Sequence, residues 1–200
     1  MFREFWDVVR RRFPSTGGRL VFLLLSFVAL VVIGAVLVVG GAAGLAWTNT
    51  EKFCIGCHEM RDYPFAEYKD TIHDRNRSGV RATCPDCHVP HGDVGALIWR
   101  KMEASLEVWG HLMGDIDTKE KYEKARLTLA QREWKRMKKS DSATCRNCHD
   151  VQAMSTDLQS EKAQARHAKA RAEKITCIDC HFGIAHTEPD GPGPQEMKMN

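Results

Sequence analysis

A mainly α fold with little or no sheet is predicted for this chain: one membrane-crossing helix, then a small domain of short helices and loops wrapped around bound cofactors. Three observations predict it. Residues Leu20–Trp47 carry no charged side chain. A Cys-x-x-Cys-His pattern is written four times and uses all eight cysteines. The rest of the chain, about 150 residues, has too few Leu, Ile, Val and Phe to assemble much of an aliphatic core.

The repeated pattern reads Cys54-Ile55-Gly56-Cys57-His58, Cys84-Pro85-Asp86-Cys87-His88, Cys145-Arg146-Asn147-Cys148-His149 and Cys177-Ile178-Asp179-Cys180-His181. It is the attachment signature of c-type haem, two thiols adding to the porphyrin vinyl groups and an imidazole placed beneath the iron. Paired Cys-x-x-Cys motifs also build structural zinc sites, but zinc does not require a His after each pair. With nine His among 200 residues, four such coincidences have a chance of roughly four in a million. Four covalent haem c groups are therefore expected, no disulfides, and porphyrin as the missing apolar bulk.

The membrane element comes first in the chain. About 20 apolar residues cross a hydrocarbon core, and 20–47 exceeds that. A cleavable signal peptide has an apolar region of only about 7–15 residues, so an uncleaved anchor is expected even though Ala42-Ala43-Gly44 offers small residues. Arg3, Arg10, Arg11, Arg12 and Arg19 precede it and, against Glu4 and Asp7, carry the whole net charge of +3. That places the N-terminus in the cytoplasm and everything after the helix in the periplasm. Trp6 and Trp47 stand where interfacial anchors are found. The expected division is 1–19 cytoplasmic basic segment, 20–47 anchor in the inner membrane, 48–186 periplasmic tetrahaem domain and 187–200 flexible tail, rich in Pro and Gly. Residues 20–200 are formally neutral, which leaves no basic surplus for nucleic acid.

Within the haem region the pattern is duplicated. Lone His73 and His91 flank the second motif much as His167 and His186 flank the fourth. Singly, a lone His is most often a surface residue. Four at matching places, in a chain needing up to four sixth ligands, read as distal iron ligands. Which His serves which iron does not follow from spacing. Met60 follows the first motif alone; it could replace His58 on the iron or pack against the porphyrin.

Between the two halves, 96–139 reads as helical. Trp99, Met102, Leu106, Trp109 and Met113 form one stripe, expected to pack on haem faces, with a bilayer-surface helix as the alternative. After Gly114, Asp117 with Glu120 three residues on is the expected cap of a second helix. Leu127, Ala130, Trp134 and Met137 form its stripe. Its end is basic, which suits the helix dipole.

The anchor, the four paired motifs, and the stretches 53–60, 78–91 and 176–186 closely resemble the NapC/NirT family of membrane-anchored tetrahaem cytochromes c. The resemblance implies a quinol dehydrogenase that oxidises membrane quinol (menaquinol or ubiquinol) and passes electrons to a periplasmic reductase. Nitrate reductase is the partner of the NapC branch and nitrite reductase that of the NirT branch, and 78–91 and 176–186 look most like the NapC form. In the related NrfH branch a Met of the first motif ligates the haem nearest the membrane, with an acidic residue on its open side. Met60 matches the first and Asp117 the second, while His111 stands where relatives carry a Lys of the quinol pocket. Glu59, His111 and Asp117 are thus the candidate quinol binders or proton acceptors. The competing reading is a passive anchored relay with no quinol site. Nothing in the sequence fixes the oligomeric state, homo-oligomer included.

Overall fold

The computed structural model describes residues 2–197, Phe2 by its backbone only. Among them there is no strand, and the helices, in chain order, are α1 (Phe2–Arg12), α2 (Thr16–Thr48), α3 (Glu51–Cys54), α4 (His58–Asp62), α5 (Pro64–Tyr68), α6 (Cys84–His88), α7 (Val94–Met113), α8 (Lys119–Lys139), α9 (Ala143–Arg146) and α10 (Glu161–Glu173). Two 3-10 turns follow, Cys177–Asp179 and Pro194–Glu196. The chain divides into two compact units, Met1–Thr48 and Asn49–Asn200.

In the first unit α2 is 33 residues long and buries none of its apolar window. At 1.5 Å per residue it is about 50 Å long, more than enough for a hydrocarbon core of about 30 Å. Pro14 breaks the chain between α1 and α2, where Phe13 stacks on Phe22 at 5.1 Å and Arg19 donates to the Phe13 and Pro14 carbonyls.

The second unit has almost no polypeptide core. Among its described residues the buried hydrophobic side chains are Tyr68, Tyr122, Trp134 and Ile178. What holds it are caps and ion pairs around α8. Arg126 grips Glu67 of α5 with two bonds, 2.9 and 2.5 Å, and Glu67 also accepts from the Thr187 amide at 3.0 Å. Burial alone would raise the Glu67 carboxyl, but the Arg126 guanidinium outweighs it and holds it below its usual value. The stabilisation is therefore complete above about pH 5 and is lost as pH falls through the depressed value, below the ordinary Glu figure of about 4.3. Glu67→Gln is expected to cost about 1–3 kcal/mol at neutral pH, read as a lowered urea midpoint, and to flatten the acid limb of stability.

Two sequence expectations change. The cap of α8 is Thr118, whose hydroxyl accepts from the Lys121 amide; Asp117 lies one residue too early and instead pairs with Lys121. The tail, expected to be flexible from 187, is anchored: Pro194 is buried, and its carbonyl accepts from Lys138 Nζ at 2.6 Å. Lys138 is a long cation that needs a partner where it is half-buried, and the tail supplies one. Residues 198–200 lie outside the described range. In the α7 stripe Trp99, Met102, Leu106 and Trp109 are all more than half exposed to whatever covers that face.

Candidate haem centres and donor site

Each Cys-x-x-Cys-His motif is shaped by its own turn. In the second and fourth, a Thr just before the first cysteine and an Asp just before the second form a reciprocal capping box. Asp86 Oδ2 accepts from the Thr83 amide and hydroxyl, both at 2.6 Å; Asp179 Oδ2 accepts from Thr176 at 2.9 and 2.8 Å. Asp179 is further fixed by Lys138 at 2.6 Å, and the Ile178 amide donates to Ser142 Oγ, a fully buried hydroxyl at the end of α8. The first motif has Gly56 at the equivalent place, where a Cβ would stand 3.0 Å from the Phe53 carbonyl.

The motifs follow one another in space in chain order. The thiols of Cys54 and Cys84 are in hydrogen-bond contact. Cys87 faces Cys145 and Cys148, and Cys145 faces Cys177. All eight thiols are free of disulfides.

Every motif histidine has a second imidazole opposite it. Ring centroids are 6.1 Å apart for His73 and His149, 6.1 Å for His88 and His186, 6.2 Å for His167 and His181, and 6.3 Å for His58 and His111. A metal–imidazole bond is about 2.0–2.1 Å, so rings spaced like this leave room for one iron between their facing nitrogens. Two of these rings are also oriented as ligands usually are, with the far nitrogen bonded to oxygen. His167 Nδ1 meets Gln159 Oε1 at 2.7 Å and His186 Nδ1 meets the Pro64 carbonyl at 3.1 Å. Burial pushes His88 and His186 down to about 4, so both stand neutral at pH 7, the form that binds metal. The residues present thus fit haem on three counts: free thiol pairs, facing imidazoles, and a domain with almost no apolar core of its own.

The sequence expectation for the sixth ligands is only partly matched by this arrangement. His73, His167 and His186 face motif histidines. His91 faces none of them; it is exposed and lines a shallow depression with Asp86, Asn147 and Cys148. The duplicated spacing suggested His91 because it mirrors His186, but the chain after His91 turns at Gly92 (φ +79°) into α7, whereas His186 is folded back onto α5.

The first pair differs from the others. Glu59 is buried, 2 % exposed, and its Oε1 lies 2.6 Å from His111 Nδ1 and 3.6 Å from His58 Nε2. Burial would raise this carboxyl; backbone bonding and His111 more than offset that and hold it low. Glu59 Oε2 is buried with no hydrogen-bond partner, so it is far from the solvated carboxylate a sequence reader would assume. Cys57 completes a group of three donors within 4.8 Å of one another, and a haem thioether at Cys57 would leave only the His and the carboxylate. Met60 is 41 % exposed.

Asp117 is near this pair. Gly114 (φ +71°) ends α7 in the left-handed region, and Asp117 Oδ2 would stand 3.1 Å from a Cβ there. Lys121, which sequence reasoning passed over, binds Asp117 Oδ1 at 2.7 Å and the Gly114 carbonyl at 2.8 Å. That bond holds the Asp117 carboxyl below its usual range, with His58 adding to the effect. Tyr63 donates to the Asp117 carbonyl at 3.5 Å and stacks on Tyr122 at 4.9 Å.

An apolar anchor helix, a strandless domain and four thiol pairs with facing imidazoles define a membrane-anchored multihaem c-type cytochrome. Residues 18–191 match the NapC/NirT cytochrome c family, N-terminal region, and the chain belongs to that family. It is 53 % identical over 169 residues to the denitrification system component NirT of Stutzerimonas stutzeri, covering 80 % of this chain and 84 % of that one. It is 50 % identical over 179 residues to the cytochrome c-type protein NapC of Escherichia coli K12, covering 90 % and 87 %. The cytochrome c-type protein TorC of the same organism is 43 % identical over 190 residues, 94 % of this chain but 47 % of TorC. No solved structure matches significantly. Electron transport with covalently bound haem c follows from the family.

Proposed function

We propose that this protein oxidises membrane quinol and delivers the electrons to a periplasmic reductase. The observation that carries the reading is the succession of four facing imidazole pairs, in chain order, whose first motif starts at Cys54, six residues after α2 ends at Thr48. Six residues reach at most about 22 Å, a short tether between anchor and first motif. The N-terminus lies in the cytoplasm and the domain in the periplasm, as the arginines before α2 favour.

Four haems would be held. The thiol pairs of 54/57, 84/87, 145/148 and 177/180 would attach them, with His58, His88, His149 and His181 as the motif ligands. His186, His73 and His167 would complete the second, third and fourth centres. Bound haem supplies one-electron redox change, with bis-imidazole ligation favouring low potential relative to Met/His. At the first centre Glu59 and His111 stay on the distal side as a dyad for quinol. Quinol must shed two protons as it is oxidised, and His111, Glu59 and Asp117 are the groups proposed to accept them. Lys121 keeps Asp117 ionised, so it accepts.

Nitrate reductase is the favoured acceptor, since 78–91 and 176–186 look most like the NapC form. Nitrite reductase is the alternative, and the similarity to a denitrification component supports it. Purified protein mixed with reduced menaquinone or ubiquinone analogue should show haem reduction in the visible spectrum without any other protein. A passive relay would stay oxidised until dithionite is added. The same preparation should give about four haems per chain by pyridine haemochrome, the number its four signatures demand.

A further inference from the structure

Helix α7 is amphipathic in the wrong sense for a helix exposed to water. Its basic side turns inward: the Arg100 side chain is 12 % exposed and donates to the His88 carbonyl and to the half-exposed Glu107, both at 3.3 Å, while exposed Glu103 borders the outer face and accepts from the Trp99 indole at 3.1 Å. His111, on the same side, meets Glu59. At 100° per residue Met102 and Trp109 lie about 160–180° around the helix from His111. Any haem held against His58 and His111 is therefore behind the helix, not over its apolar face. That face shows Ile98, Trp99, Met102, Leu106, Trp109 and Met113 at 47–74 % exposure.

We infer that α7 lies on the periplasmic surface of the bilayer, its outward face in the lipid interface, as a second membrane contact of the chain. The area decides against a stable contact between two copies. Twenty residues give a helix about 30 Å long, so one face about 10 Å wide offers about 300 Å², against roughly 800 Å² per partner in a standard interface. Lipid sets no such threshold here, because α2 already holds the domain at the membrane and the second contact forms at high effective concentration. The residue types agree: Trp99 and Trp109 sit on this face, and indole rings favour the headgroup boundary. Interfacial helices of this kind bury their apolar face about 5–10 Å deep.

The test uses the full-length haem-loaded protein in nanodiscs of phosphatidylethanolamine and phosphatidylglycerol, one copy per disc. A lipid-partitioned aryl diazirine is photoactivated and the labelled peptides are read by mass spectrometry. Labelling of 94–113 is expected on the outward residues, within about threefold of α2, with α8 at background. In Leu106→Glu, labelling of 94–113 should fall to background while α2 stays labelled and the visible spectrum is unchanged. Label on α2 with none on 94–113 overturns the inference and leaves the face for a second copy or a reductase. Label on 94–113 that survives Leu106→Glu unchanged also overturns it, because the outward face would not then be what meets the lipid.

Discussion

His186→Met is expected to change one haem centre out of four and to do so without touching any Cys-x-x-Cys-His motif. His186 faces His88, 98 positions earlier in the chain, so the affected centre should be the second and not the fourth, which is nearest in sequence. Exchanging a bis-imidazole for a Met/His set raises the potential. Axial ligands tune haem over roughly 0.8 V, so a rise on the order of a hundred millivolts is expected in one of four redox transitions. The low-spin signal of one centre should move with it in electron paramagnetic resonance. His91→Met is the matched control and should leave every transition in place. An unchanged titration in His186→Met, or a shifted one in His91→Met, would refute the pairing.

The second large effect concerns the donor side. His111→Asn and Asp117→Asn should each slow reduction by a quinol analogue on the order of a hundredfold, the usual worth of a positioned acid or base. Dithionite should still reduce all haems in both. His111→Asn should also leave the spectrum of the first centre as it is, since His111 Nδ1 is engaged by the Glu59 carboxylate. A new high-spin band in that variant would instead make His111 the sixth ligand. Lys121→Met gives the pH test. Lys121 holds the Asp117 carboxyl low, and without it the carboxyl protonates at higher pH. The acidic limb of the quinol rate should therefore move upward in pH, while the rate well above that limb stays near that of the parent protein.

The parts of this molecule that depend on local chemistry could be read from the chain. An uncharged run must be satisfied by a helix in lipid, and four Cys-x-x-Cys-His signatures leave few alternatives to haem. The helices α7 and α8 were legible from their apolar steps, though the exact cap, Thr118 rather than Asp117, needed the backbone. Ligand pairing was not legible, because it is a property of tertiary contact. His91 and His186 occupy equivalent places in the two halves, yet only one folds back over a motif histidine. The burial of Glu59 was equally hidden, since nothing about a Glu after a motif His says that α7 will close over it. What the α7 stripe meets was not legible either, because a row of Trp and Met fits a porphyrin face and a lipid surface equally well.

The crossing of ligands between halves has a consequence in time. His149 of the third motif is faced by His73 of the first half, and His88 of the second motif by His186 of the second half. During export the amino-terminal half emerges first, while the imidazole that faces its second motif lies 98 positions further along the chain. Under the proposed ligation the second centre closes only once His186 has emerged, so the two halves would mature together as a mutual clasp.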